Sequence, residues 1–494
     1  MKIKEKEIQQ KEIEKPNSIV FNRRKFRMGQ SRNIILDTDS YKLSHYLQLP
    51  EKTTRIVSYI ESRGGKWDKT IFVGLQKVLI DLIENFPTLE DVEEAQYLAD
   101  KHGEPFNRQG WLDLIELGYY PIVIRSVPEG KRIKVKNALV SITNTDDRFA
   151  WLVSYFEMAI LRSVWYMTTV ATLSFEIKEM IKRAMLSTSD TPDDYLFKLH
   201  DFGGRGASSE ETAGTGSLSH LINFRGTDTI SGIRYGMYYY DSDVCGFSIP
   251  ASEHSTITIW GRKGENKAYR NMLKKFPKGS VACVSDSYDI FRATRDLWGN
   301  ELRQEVMNRD GVLVIRPDSG DPLSVIPVLL KILGKQFGYT VNSKGYKVLH
   351  KSVRLIWGDG INEKSIQEIL TMLISKGWSA DNLAFGMGGA LLQGVNRDTQ
   401  KFAMKASAAL VDGEWVDIYK DPITDIGKAS KRGIQMYRLG DTAKVDYETF
   451  MNADNPDMPI VFNNKLLKRF TLDEVRANAD QGSDVIIDEM NIAA

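Results

Sequence analysis

Four apolar runs of strand length, VACVSD, GVLVIRPDSG, SVRLIWGDG and NLAFGMGG, each end in small or acidic residues and lead into helix-compatible sequence. Their marker residues Asp286, Asp318, Asp359 and Gly388 lie 32, 41 and 29 residues apart, which is the span of a strand plus a crossover helix. Unbroken apolar character, rather than alternation, is what parallel strands buried on both faces require. In barrels of this kind the polar groups collect on the loops that follow the strand C-termini. The pattern therefore predicts an α/β barrel-like unit with three carboxylates and a glycine turn on one rim.

The flanks read differently. From Ile34 to about Val170, strand-like runs (RIVSYIES, YPIVIRSV, ALVSITN) mix with helical ones (VGLQKVLIDLIENF, WLVSYFEMAILRSVWY), which suits an α+β layer. After residue 406 short strands return (EWVDIYKDP, QMYRLG), and TLDEVRANA predicts a capped helix after Thr471. A length of 494 residues exceeds what one core usually organises. The expected division is a flexible extension over 1–32, an α+β domain over 33–175 plus 406–494, and a barrel-like catalytic domain over 176–405. The 66 basic and 65 acidic side chains nearly cancel, so no global field points to nucleic acid or an anionic membrane, and any anion specificity must be local. Cys245 and Cys283 are the only cysteines, which excludes a zinc site built of cysteines and suits a reducing compartment. No apolar stretch reaches the roughly 18–20 residues of a membrane span, so a cytoplasmic protein is expected.

Several motifs carry chemistry, and each has a plainer reading. Gly388 and Gly389 follow a strand and open a helix, where backbone N–H groups can approach an anion; a tight turn explains them equally. Asp318, two residues after Arg316, suits ribose hydroxyls or a magnesium-bound water, and Asp359 in WGDG is similar in type. A structural Arg–Asp pair at a strand end is the alternative. His254, beside Glu253 in PASEHSTIT, suits a phosphate-accepting nucleophile or an ordinary hydrogen-bonded histidine. The loop HDFGGRGASSEETAG sets Asp201, Phe202 and Arg205 among glycines, offering an aromatic face and a guanidinium.

Together and in order, DTDSYKLSHY, HDFGGRGASS, NFRGTDT, IPASEHSTIT, VSDSYDIF, IRPDSGDP, WGDG, FGMGG and KDP resemble the nicotinamide phosphoribosyltransferase family, from about Asn33 to the last helix. The resemblance implies an α/β fold: an incomplete (β/α) barrel-like domain with an attached α+β domain built from the N- and C-terminal parts. It implies that the nicotinamide ring stacks between Phe202 and Tyr41, the latter donated by the second subunit of a homodimer. Asp228 would accept a hydrogen bond from the substrate amide. Nicotinate would instead bring a second carboxylate, and like charges about 4 Å apart at an effective dielectric of about 20 repel by about 4 kcal/mol. Arg205 and Arg316 would line the base and phosphate end, and Asp318 and Asp359 would hold ribose hydroxyls. Gly388 and Gly389 would hold the 5′-phosphate, with Asp39, Ser319, Gly320 and Gly358 nearby. Arg63, Arg397, Lys405 and Lys420 would clamp pyrophosphate or triphosphate oxygens.

The same resemblance implies a reaction in which the pyridine nitrogen displaces pyrophosphate from C1 of phosphoribosyl pyrophosphate (PRPP). It also implies Mg2+, held mainly by pyrophosphate with Asp286 and Asp318 behind it, and ATP as co-substrate through a phosphohistidine at His254, with Asp286 bonded to the imidazole and Glu253 adjacent. Met387 and Ala282 depart from the pattern of some relatives and put the tunnel lining in question. A nicotinate phosphoribosyltransferase is the nearest rival, with Asp228 against it. A catalytically silent binding protein is a second. An NAD-dependent oxidoreductase lacks its glycine fingerprint.

Overall fold

The computed structural model describes residues 33–424 and 430–483; the expected N-terminal extension, residues 1–32, lies outside the described residues. Four of the parallel strands form where the apolar runs predict them: Val281–Val284, Leu313–Arg316, Val353–Trp357 and Leu383–Met387. Two shorter ones, Leu199–Asp201 and Gly226–Thr227, complete a sheet in the spatial order 226, 199, 383, 353, 313, 281 by first residue. Every neighbouring pair is parallel. The open seam between Gly226–Thr227 and Val281–Val284 is spanned by the extended segment 247–251, through single parallel bridges Gly226–Phe247 and Ala251–Ala282. Thr227 N–H donates to the Phe247 carbonyl at 3.0 Å, and Ala282 N–H to the Pro250 carbonyl at 2.9 Å.

Within these strands one side packs outward and the other inward. Leu313, Ile315, Val353 and Leu355 are buried with Ile326, Leu329 and Leu333 of the helix Pro322–Phe337. Val314, Ile356 and Ala384, between them in register, line the barrel interior. The outer helices start where their caps dictate: Asp321 caps the helix that has Pro322 at its first position, and Asn362 forms a capping box for Glu363–Ser375.

The second sheet is antiparallel, in the order Glu414–Asp417, Phe402–Val411, Thr53–Ser62, Ala138–Asn144, Ile122–Ser126, Ile460–Asn463. It joins strands from both ends of the chain. The helix Glu157–Thr188 runs from one core into the other: Ile160 and Val164 pack with Ile56, Ile60 and Trp111, whereas Met167, Val170 and Phe175 belong to the barrel-side core. The last helix among the described residues, Leu472–Asp480, begins in a capping box at Thr471 and buries Leu472, Val475 and Ala479 against that barrel-side core. Among the described residues no helix is long and apolar enough to cross a membrane.

Candidate functional site

Because the barrel strands are all parallel, their C-terminal ends share one rim, and Phe202, Asp228, Asp286, Asp318, Asp359 and Gly388 all lie just beyond those ends. Two cavities meet there. The inner one, about 290 Å³, is mostly apolar and reaches Val314, Ile356 and Ala384 inside the barrel. The outer one, about 780 Å³, is polar and is bordered by Arg205, Glu253, His254, Asp318 and Gly389. Phe202, Asp228 and Arg316 border both.

The Phe202 ring is seated by its backbone and by two glycines. Its N–H donates to the Met387 carbonyl at 2.9 Å. A Cβ at Gly386 would lie 2.0 Å from Phe202 Cε2, and one at Gly358 3.2 Å from it, so the ring occupies space that side chains would fill. Asp228 accepts from His200 Nε2 at 3.0 Å and from Ser248 Oγ at 2.6 Å, both at Oδ1. Burial pushes the Asp228 carboxyl up, but those two donors, with the Arg316 charge, outweigh it and hold the group below the usual carboxylate range. Arg316 is largely buried; its Nε has no protein partner, and its nearest carboxylate contact, to Asp318, is 4.0 Å. The residue borders both cavities, so its guanidinium is the cation nearest their junction with Asp228.

At the outer cavity His254 Nε2 stands 3.7 Å from Asp286 Oδ1 and 3.5 Å from Asp318 Oδ2, and Nδ1 stands 3.4 Å from Ser287 Oγ. Asp286 Oδ1 is buried without a hydrogen-bond partner, while Oδ2 accepts from Ser319 Oγ. Glu253 caps the five-residue helix His254–Thr258 and accepts from Ser255, so its carboxylate is engaged locally. Gly320 takes a left-handed φ of 94° in the turn before its helix, a conformation that favours glycine. Asp359 is exposed, its carbonyl accepting from Trp357 Nε1 at 2.8 Å. Gly388 caps the short helix Gly389–Leu392, and Gly206 packs so close that a Cβ there would lie 3.0 Å from Gly389 Cα. Ala282 lines the inner cavity, whereas Met387 is buried in the barrel-side core.

The remaining expected residues lie elsewhere. Tyr41, 53% exposed, donates to Asp39 at 3.4 Å on the 3-10 helix Ser40–Leu47. Near it Glu157 pairs with Lys42 at 2.8 Å and with Lys405 at 4.0 Å. Burial lowers the Lys405 pKa; Glu157 opposes this, while Arg63, Lys420 and Lys42 add to it, so these cations share one neighbourhood. Arg63 Nε is buried without a partner. Arg397 lies on the turn Arg397–Thr399 that precedes the strand Phe402–Val411. None of Asp39, Tyr41, Arg63, Arg397, Lys405 or Lys420 lines either cavity.

Sequence reasoning missed His200, Ser248 and Gly386. His200 sits two residues before Phe202, and strand alternation puts both on one side, with ring centroids 5.3 Å apart. That alternation was the available signal; Ser248 and Gly386 gave none of comparable kind.

A curled sheet of parallel strands, its seam bridged by residues 247–251, that gathers carboxylates, a guanidinium and an aromatic ring on one rim is an α/β barrel-like architecture, and the comparisons give its family. Residues 197–461 match the nicotinate phosphoribosyltransferase (NAPRTase) family, and the chain belongs to it. Residues 33–124 match the nicotinamide phosphoribosyltransferase N-terminal domain. A protein of Xanthomonas campestris pv. campestris named nicotinamide phosphoribosyltransferase is 49% identical over 91% of this chain and 98% of its own length. One of the same name from Acinetobacter baylyi is 31% identical over 90% of this chain and 96% of its own. Among solved structures, the nicotinate-nucleotide pyrophosphorylase of Pyrococcus furiosus shares the fold, with a TM-score of 0.58 at 15% identity, over 92% of this chain and 97% of that one.

Proposed function

We propose that this protein is a nicotinamide phosphoribosyltransferase of NAD salvage, which condenses nicotinamide with PRPP to give nicotinamide mononucleotide and pyrophosphate. The observation that carries the reading is the meeting of Phe202, Asp228 and Arg316 where an apolar cavity opens into a polar one. Phe202 offers a stacking face for the pyridine, Asp228 accepts from the amide N–H, and Arg316 donates to the amide carbonyl. The nitrogen that attacks C1 carries no proton, so no general base is required. Positive charge grows on the ribose as the diphosphate leaves, and Asp318 and Asp359 hold its hydroxyls while Arg205 and the Gly388–Gly389 amides hold phosphate oxygens.

Among the described residues no three His, Cys, Asp or Glu side chains come together as a metal cage. The open Asp286 oxygen beside Asp318 and His254 fits a Mg2+ held chiefly by the diphosphate, with these carboxylates behind it. Mg2+ would neutralise charge on the leaving group. ATP would phosphorylate His254, whose imidazole Asp286 orients, and so couple hydrolysis to substrate affinity. A homodimer would bring Tyr41, Arg63, Arg397, Lys405 and Lys420 of one chain to the rim of the other. Two buried, unpaired cysteines suit a cytoplasmic enzyme.

The test measures product from PRPP and Mg2+ with nicotinamide or nicotinate as separate substrates, with and without ATP, beside Asp228→Asn. Nicotinamide mononucleotide from the amide, with relaxed selectivity in the variant, supports the proposal. A preference for nicotinate would make the protein a nicotinate enzyme, and no product with either would make it a binding protein.

A further inference from the structure

Asp228 presents two carboxylate oxygens to the junction of the cavities, and the protein treats them unequally. Oδ1 accepts from both His200 Nε2 (3.0 Å) and Ser248 Oγ (2.6 Å). Oδ2 has no partner among the described residues. The Ser248 hydroxyl has one proton, and its other acceptor, the Ile249 carbonyl, is at 3.5 Å, so the short contact to Asp228 takes it. An ionised carboxylate only accepts, so His200 carries its proton on Nε2. The ring is held in place from behind: a Cβ at Gly226 would lie 2.4 Å from His200 Nδ1. The two donors flank the strand Gly226–Thr227 that delivers Asp228, His200 from the neighbouring strand Leu199–Asp201 and Ser248 from the segment 247–251 bridged to its other edge.

We propose that His200 and Ser248 are positioning residues for substrate selection: by occupying Oδ1 they fix the carboxylate plane and leave Oδ2 as the single acceptor that reads one N–H of a planar carboxamide. This rests on the nicotinamide reading of the cavity. The Arg316 guanidinium, which lines both cavities, supplies the complementary donor, so the wall offers one acceptor and one donor. A carboxamide edge matches that order, with its N–H against Oδ2 and its C=O against the guanidinium. A carboxylate edge places an oxygen against Oδ2 with no proton between them, and Oδ2 cannot rotate away because Oδ1 is held twice.

The test uses the full-length protein and compares wild type with His200→Phe, which keeps a ring and removes the donor, and with Ser248→Ala and Ser248→Thr. The quantity read is the ratio of kcat/KM for nicotinamide to that for nicotinate. Each loss of a donor is expected to lower the ratio about tenfold, chiefly through a higher KM for nicotinamide, while Ser248→Thr restores it. The rise in that KM toward acid pH should move to higher pH in Ser248→Ala, since the carboxyl has lost a donor. The ionisable groups around Asp228 are His200 and Arg316, with His220 and Asp201 behind His200, and Ser248→Ala leaves all four in place. An unchanged ratio and pH profile in both variants would overturn the inference, as would an equal loss for both substrates, which marks a merely structural role. Wild-type preference for nicotinate would instead overturn the functional reading beneath it.

Discussion

Gly386 carries no functional group, yet the site depends on what it lacks. Its absent Cβ would fall 2.0 Å from the Phe202 ring, so Gly386→Ala should expel the ring from the cavity wall. Steady-state kinetics should show the KM for nicotinamide raised by about tenfold or more, with loss of one stacking contact and its area as the cause. His220 makes a different prediction. It is fully buried, stacked on Phe224 and bonded to Ser174 at 3.0 Å, and burial pushes its pKa down to about 4. The unfolded chain therefore binds a proton that the folded one refuses between that value and about 6.5, and stability must fall as pH drops through this window, by roughly 3 kcal/mol. Urea midpoints at pH 7 and pH 5 should differ less in His220→Gln than in wild type. At this scale the sequence was legible where chemistry is local. Asp286, Asp318 and Gly388 announce themselves by standing at the ends of apolar runs. The partners of Asp228 come from 28 residues before it and 20 after it, and Gly386 matters only because of a ring 184 residues away, so no local pattern could reveal them.

The four long parallel strands were readable because burial on both faces leaves them unbroken apolar runs. Leu199–Asp201 and Gly226–Thr227, three and two residues long, are too short to show any period, and the closing segment 247–251 pairs only through single bridges. These are the elements that deliver Phe202, Asp228 and Ser248, so the junction between the two cavities was the least visible part of the fold. The terminal helix was visible through its cap: Thr471 accepts from Glu474 N–H, and Glu474 accepts from Thr471 N–H at 2.7 Å. Thr471→Ala should cost about 1 kcal/mol, read as a lower chemical-denaturation midpoint with an unchanged slope. Activity in the absence of denaturant should be unaffected, because the helix packs on the outside of the barrel-side core.

In the whole molecule neither Tyr41 nor Lys405 lines the two cavities at the rim of its own chain. If two chains complete each site, a mixture of two inactive variants, Tyr41→Ala and Asp318→Ala, should recover about a quarter of wild-type activity: half the dimers are mixed, and each holds one intact site. Activity that stays at the level of the separate variants would place both groups in the same chain's site. The antiparallel sheet has a further consequence. Its central strand Thr53–Ser62 is made early but pairs with Phe402–Val411 in a register running from Ser62↔Phe402 to Thr53↔Val411. On the ribosome that strand must wait for nearly the whole chain, whereas the barrel, drawn from one continuous stretch between Leu199 and Met387, can close before synthesis ends. The nascent protein therefore exposes one unpaired edge of the N-terminal layer until residues 402–411 have emerged, long after its other edge can pair with Ala138–Asn144.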